Sequence, residues 1–249
     1  MFPQVCDRFH MAATPSRLLS PLFFLRPFYE FIFPPVCLIC ETPMERTGSK
    51  VCATCWNSLR SVTPADPIYQ LAHERLTVHG DLDGVASLWH FEKEGTLQSI
   101  VHLLKYESMT GLGVEMGRAL GEKLLTEGVA GKYDAVIPVP LHRAKYRERG
   151  YNQSDFIGEG IQEVTGLSLL QSFLHRTRFT QSQTALDAVE RKTNVRGAFS
   201  LAKGVEVRGR SFILVDDVIT TGATIEACAV VLRENGAQNV FAASAALAG

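Results

Sequence analysis

Apolar residues recur along this chain in two rhythms. Short, mostly apolar runs (GVASLWHFE from residue 84, AVIPV from 135, FILV at 212–215 and VFAASAAL near the end) have the length of buried strands. Between them, TLQSIVHLLKY and LGVEMGRALGEKLLTE repeat their apolar residues at helical spacing. Phe156, Ile157, Gly160, Ile161 and Val164 form one face of a helix predicted over 152–164, and Ile225, Cys228, Ala229 and Leu232 mark a later one. Strands separated by helices predict an α/β fold with a mainly parallel sheet, whose ligands sit at the C-terminal ends of the strands.

Ahead of this pattern the chain changes character. Leu18 to Val36 reads LLSPLFFLRPFYEFIFPPV, apolar but broken by Arg26, Glu30 and four prolines. A bilayer span needs about 20 mostly apolar residues, so no transmembrane segment is expected. No A-x-A-like cleavage site follows, which points to a cytoplasmic protein. The segment 1–33 either covers the domain or a partner as a short amphipathic stretch, or lies on the inner face of the membrane. Met11 is a second candidate start, which would remove Cys6. Prolines and paired cysteines define a module over 34–60, SVTPADPIYQ opens a linker over 61–79, and the α/β domain occupies 80–249.

Composition narrows the function. With 46% apolar residues the chain can build a core, and 25 Lys+Arg against 26 Asp+Glu leave a net charge of −1. A protein that grips duplex DNA over its whole surface is strongly basic, so any nucleic-acid contact here is local.

Four of the six cysteines form two C-x-x-C pairs, Cys37/Cys40 and Cys52/Cys55, separated by eleven residues. Two such turns facing each other supply the four thiolates of a closed, structural Zn²⁺ site. Unliganded core cysteines or a redox pair are the competing readings, although a redox motif needs only one C-x-x-C. Cys228, on an apolar helical face, reads as core.

The run Val215-Asp216-Asp217-Val218-Ile219-Thr220-Thr221-Gly222-Ala223-Thr224 follows the strand FILV. An apolar strand ending in two carboxylates, then a turn of small and hydroxylic residues opening a helix near Thr224, directs backbone N–H groups at a common centre and favours an anion. A phosphate fits there, with Asp216 and Asp217 as acceptors for sugar hydroxyls and, through them, Mg²⁺. A plain strand–turn–helix junction capped by Asp and Thr makes a similar pattern. After AVIPV, PLHRAKYRERGYNQSDF carries His142, Arg143, Lys145, Arg147 and Arg149 within eight residues, either as a solvated loop or as a set of cations able to neutralise a pyrophosphate. The polar segment 175–197, with Arg176, Arg178, Thr180, Gln183, Arg191 and Asn194, is either a lid over substrate or a surface connection.

Four apolar residues, Asp-Asp, two apolar residues and T-T-G-x-T resemble the phosphoribosyl diphosphate (PRPP) motif of type I phosphoribosyltransferases. The resemblance implies that Asp216 and Asp217 contact the ribose hydroxyls and that Thr220, Thr221, Gly222, Ala223 and Thr224 surround the 5′-phosphate. Pyrophosphate is then the leaving group, for which His142, Arg143, Arg147 and Arg149 are candidate partners. Purine-salvage members often carry an Asp at the position of Thr220 as general base toward the nucleobase. A threonine hydroxyl cannot hold a proton near neutral pH as a carboxylate can, which disfavours hypoxanthine–guanine salvage.

The double C-x-x-C, LKY at 104–106, PVPLHR, RERGYNQ, HRTRFTQSQTAL, RKTNVRGAF and the PRPP motif follow one another in an order similar to the ComF family, over residues 34–249. Gln181-Ser182 stand where many relatives carry Pro-Pro. The resemblance implies a type I phosphoribosyltransferase-like fold with an N-terminal zinc module, and a link to DNA uptake in competent bacteria or to DNA processing. Two functions follow from it. One is a PRPP-binding, Mg²⁺-dependent phosphoribosyltransferase of unassigned acceptor. The other is a non-catalytic adaptor whose zinc module and basic loop bind single-stranded DNA or a competence helicase, with the PRPP site a sensor or relic.

Overall fold

A computed structural model of the chain describes residues 35–44, 49–106, 109–177 and 197–249. The segment 1–33, with Cys6 and Met11, and residues 178–196, with Arg178, Thr180, Gln181-Ser182, Gln183, Arg191 and Asn194, lie outside the described residues.

Five strands form one sheet: β1 (Gly84–His90), β2 (Ala135–Pro138), β3 (Ser168–Leu169), β6 (Ser211–Ile219) and β7 (Asn239–Leu247). Their order is β1-β7-β6-β2-β3 and every pairing is parallel. Parallel sheets are covered on both faces, which is why β6 begins as an unbroken apolar run. Phe212 and Leu214 enter one apolar cluster, whereas Ile213 and Val215 enter the other. The first cluster is completed by helices α2 (Pro67–Thr77) and α7 (Ala223–Glu234) and by the hairpin of β4 (Leu174–Arg176) and β5 (Phe199–Leu201). The second takes in α3 (Thr96–Tyr106), α4 (Thr110–Thr126) and α6 (Gln153–Thr165). Glycines let α4 and α6 cross closely: a Cβ on Gly117 would stand 2.1 Å from the Ile157 carbonyl, and one on Gly160 2.2 Å from that of Val114. This contact fixes the start of α6, where site residues gather.

The stretch 61–79 is not the linker that its prolines suggest. Val62 donates its N–H to the Leu88 carbonyl at 2.8 Å, and Ser61 pairs with Trp89 at the end of β1. Pro67 then sits in the first turn of α2, where a missing N–H costs nothing. Ala72 and Leu76 of that helix are buried in the first cluster. The cysteine module is also anchored. It includes helix α1 (Ala53–Asn57), Trp56 stacks on Trp89 with ring centroids 5.5 Å apart, and Ser49 donates to Glu115 of α4 at 2.7 Å.

Candidate functional site

Cys37, Cys40, Cys52 and Cys55 converge, with all four Sγ atoms within 4.8 Å of one another. The Cys37–Cys55 and Cys40–Cys52 separations are 3.8 and 3.7 Å. Tetrahedral thiolates about 2.3 Å from zinc stand roughly 3.8 Å apart, so the cluster already has the dimensions of a Zn²⁺ site. Backbone N–H groups of Ile39 and Cys52 point at Cys37 Sγ at 3.4 and 3.3 Å, as a charged sulfur requires. Four thiolates leave no open position, so the metal's role is structural.

The second centre lies at the C-terminal edge of the sheet. Strand β6 does not end at the carboxylates but continues through them to Ile219. Successive side chains in a strand leave opposite faces, and this separates the pair. Asp217 turns to the face covered by α3 and forms an ion pair with Lys105 at 2.8 Å. Asp216 accepts a hydrogen bond from Ser154 of α6 at 3.1 Å. Burial first, and then the neighbouring Asp217 charge, push the Asp216 carboxyl up to about 7. Each carboxylate also accepts from the next backbone N–H, Asp216 from Asp217 at 2.9 Å and Asp217 from Val218 at 2.7 Å.

Thr220 and Thr221 follow, both exposed, and Gly222 takes a left-handed conformation with φ of 77° immediately before α7 begins at Ala223. Glycine is required there twice over. Its φ penalises other residues, and a Cβ would lie 2.4 Å from Leu76 Cδ2 of α2. Arg75 ties down the turn by donating to the Thr220 carbonyl at 2.9 Å. The N-terminal N–H groups of α7 open beside Thr224, and a helix N-terminus favours an anion.

The basic run is a short helix, α5 (Arg143–Arg149), and its charges do not act as one set. His142 is not a cation. Its Nδ1 accepts the Ala144 N–H at 3.1 Å as a cap, while burial and then Arg176, Arg147, Arg143 and Lys145 hold its pKa below the usual 6.5. Arg143 and Arg147, one turn apart, line a cavity of about 490 Å³. Arg149 turns the other way, donating to Gln153 at 3.0 Å and lying over the Tyr106 ring at 5.3 Å. Its Nε and the Gln153 Nε2 are buried without a hydrogen-bond partner among the described residues. Such orphaned donors are rare in folded proteins and suit an acceptor-rich ligand.

Lys105, Ser154, Asn152 and Asp155 stand at this centre or its neighbouring cavity, and no local sequence pattern marks them. Lys105 lies within the LKY motif, and the Tyr151 hydroxyl donates to the Leu104 carbonyl there, joining LKY to RGYNQ. The motif order was therefore the available signal. Asp155 lines the cavity and accepts from Asn152 Nδ2 at 3.2 Å. Burial pushes its carboxyl up to about 6, with Glu159 adding to the effect. Arg176, on β4, lines the same cavity and lies over Phe199 at 5.4 Å.

Residues 28–67 match a family model described as a double zinc ribbon domain. DNA utilization protein YhgH of Salmonella typhimurium is 29% identical over 216 residues, covering 83% of this chain and 94% of that protein. Competence protein F of Haemophilus influenzae is 37% identical over 108 residues, covering 43% of this chain and 47% of that protein. An amidophosphoribosyltransferase of Escherichia coli K12 is 29% identical over 192 residues, covering 76% of this chain and 35% of that enzyme. A glutamine PRPP amidotransferase structure from B. subtilis aligns with a TM-score of 0.36 and 26% identity, over 53% of this chain and 26% of its own. No helix among the described residues is long and apolar enough to cross a membrane.

Proposed function

We propose that this chain, a ComF-family protein with a phosphoribosyltransferase-like α/β fold and a zinc-ribbon module, binds PRPP with Mg²⁺ and transfers its phosphoribosyl group to an acceptor in the service of DNA uptake or processing. The observation that carries this reading is the continuation of β6 into Asp216 and Asp217 directly before the Gly222 turn. Two carboxylates beside a helix-opening turn at the C-terminal ends of the strands support a site for a sugar phosphate.

In this reading the 5′-phosphate takes the N–H groups and hydroxyls of Thr220–Thr224, and the ribose hydroxyls donate to Asp216 and Asp217. Asp216 and Asp217, through the ribose hydroxyls they accept from, would help hold Mg²⁺, which would supply charge neutralisation at the pyrophosphate. Asp217 exchanges Lys105 for the ligand, which frees a cation close to where that charge develops. Lys105, with Arg149 and Gln153 and their orphaned donors, makes the electropositive surround. Thr220 supplies a donor and no base, so proton removal from the acceptor falls to another residue.

Calorimetric titration with PRPP and Mg²⁺ tests the reading. The wild type is expected to bind, and Asp216→Asn/Asp217→Asn to lose at least about tenfold in affinity, as lost hydrogen bonds to charged groups imply. A wild type that takes up no heat defeats it. The adaptor reading draws on one observation: Tyr146, 49% exposed, shares α5 and a cavity lining with Arg143 and Arg147, an aromatic among cations that suits single-stranded DNA. Salt-sensitive binding of a single-stranded oligonucleotide, weakened by Tyr146→Ala, is its expected signature.

A further inference from the structure

We propose that the cavity beyond the C-terminal end of β2 is the subsite for the acceptor, a small planar acid that carries N–H donors, and that Asp155 receives its N–H. The assignment to an acceptor rests on the PRPP reading above, whereas the ligand chemistry of the cavity stands on the residues that line it.

At about 490 Å³ the cavity falls within the roughly 300–1,000 Å³ typical of small-molecule sites. Its floor is apolar, built from Pro138, Pro140, Leu141 and the buried Leu174, and suits one face of a flat ring. One corner is a fixed acceptor. Asn152, only 7% exposed, donates its Nδ2 both to the Val139 carbonyl at 3.1 Å and to Asp155 at 3.2 Å, which aims the Asp155 carboxylate. An ionised carboxylate only accepts, so that corner repels pyrophosphate and attracts N–H. Asn152, at the N-cap of α6, and Glu159 of α6 act directly on Asp155, while Arg143 and Arg147 of α5 and His175 and Arg176 of β4 line the same cavity. Three guanidiniums against one lining carboxylate leave the cavity positive, which selects an acidic ligand.

Position ties this cavity to the proposed reaction. Val139, the residue between the lining Pro138 and Pro140, donates its N–H to the Val215 carbonyl at 2.9 Å, next to Asp216. Ser154, one residue before Asp155, holds Asp216 itself. In the transfer, the acceptor nitrogen forms a bond to C1′ as the C1′–O bond breaks. Pyrophosphate leaves with that electron pair, and the nitrogen's proton passes to Asp155. A carboxyl raised to about 6 by burial is a stronger base than an exposed one, and it supplies what Thr220 lacks.

Anthranilate, benzoate and aniline are the probes, since only the first combines ring, amine and acid. Anthranilate is expected to bind saturably, with benzoate and aniline at least about tenfold weaker. Asp155→Asn should remove at least about tenfold of anthranilate affinity while leaving benzoate affinity and Mg²⁺-PRPP binding unchanged. Arg176→Met should weaken anthranilate and benzoate while sparing aniline. Absence of saturable anthranilate binding, or an anthranilate preference that survives Asp155→Asn, overturns the proposal. A PRPP titration on the same preparation separates the two readings. PRPP binding without anthranilate binding sinks the cavity assignment alone, and the converse sinks the PRPP reading while leaving the cavity's ligand chemistry in place.

Discussion

Replacing Asp216 with Asn should make the protein more stable and less able to bind its ligand, and the gain should depend on pH in a defined way. The substitution keeps the side chain's shape and its acceptor toward Ser154 but removes the charge. Burial and the Asp217 charge raise the Asp216 carboxyl from an ordinary 3.8 to about 7. A displacement of that size corresponds to roughly 4 kcal/mol against the ionised folded state, and about 2 kcal/mol after local relaxation is a reasonable floor. The folded state keeps a proton that the unfolded chain releases. The wild type therefore has its full stability from this group below about pH 4 and loses it progressively as pH rises through about 7. The Asn variant lacks that loss. Urea unfolding followed by far-UV circular dichroism should show the variant ahead by about 2–4 kcal/mol at pH 8, with the gap closing toward zero near pH 4. Circular dichroism suits this better than tryptophan emission, because the chain's two tryptophans, Trp56 and Trp89, stack at the cysteine module. A variant no more stable than wild type at pH 8, or a gap that does not vary with pH, refutes the reasoning. Either result would mean that Arg176 and Lys105 hold the charge better than burial penalises it.

Because hydroxyl donors favour the ionised carboxylate, PRPP affinity should rise between pH 6 and pH 8, with up to about tenfold per pH step below the carboxyl's pKa; a flat calorimetric profile would count against Asp216 as a ligand. Gly222→Ala should cost about 2–4 kcal/mol in thermal unfolding, combining a left-handed alanine with a Cβ at 2.4 Å from Leu76, whereas Gly209→Ala, with similar φ and open space, should cost about 1 kcal/mol. Lys105→Met leaves Asp217 unpaired and should cost about 2 kcal/mol, less than a fully buried pair because the side chains are 23% and 13% exposed; a double-mutant cycle with Asp217→Asn should recover most of that. Elemental analysis should find one zinc per chain, lost in Cys52→Ser, and chelation should shift tryptophan emission because Trp56 and Trp89 stack across the module boundary.

The parallel sheet was legible because its strands are short apolar runs that only a doubly covered sheet makes. The cysteine cluster was legible because its ligands are close in sequence. Where reading failed, the deciding contact was tertiary. Asp216 and Asp217 end an apolar run in the sequence, yet pairing of Asp216 with Ser244 and of Val218 with Ala246 on β7 carries the strand onward and splits the two carboxylates between faces. Pro64 and Pro67 suggested a linker, but Pro67 opens a helix whose Leu76 is 1% exposed. His142 counted as a cation until its Nδ1 took a helix N–H. Nothing near Asp155 in the chain signals that α5, α6 and β4 will enclose it.

The seat of Gly222 on Leu76 also fixes what can be inherited as a unit. An α/β domain cut at residue 80 would lack the helix beneath its own Gly222 turn, along with the Arg75 that clasps Thr220. A cut that parts the cysteine module from this domain without removing strand pairing or α2 falls before Ser61. A soluble fragment designed without the ribbon should begin there too.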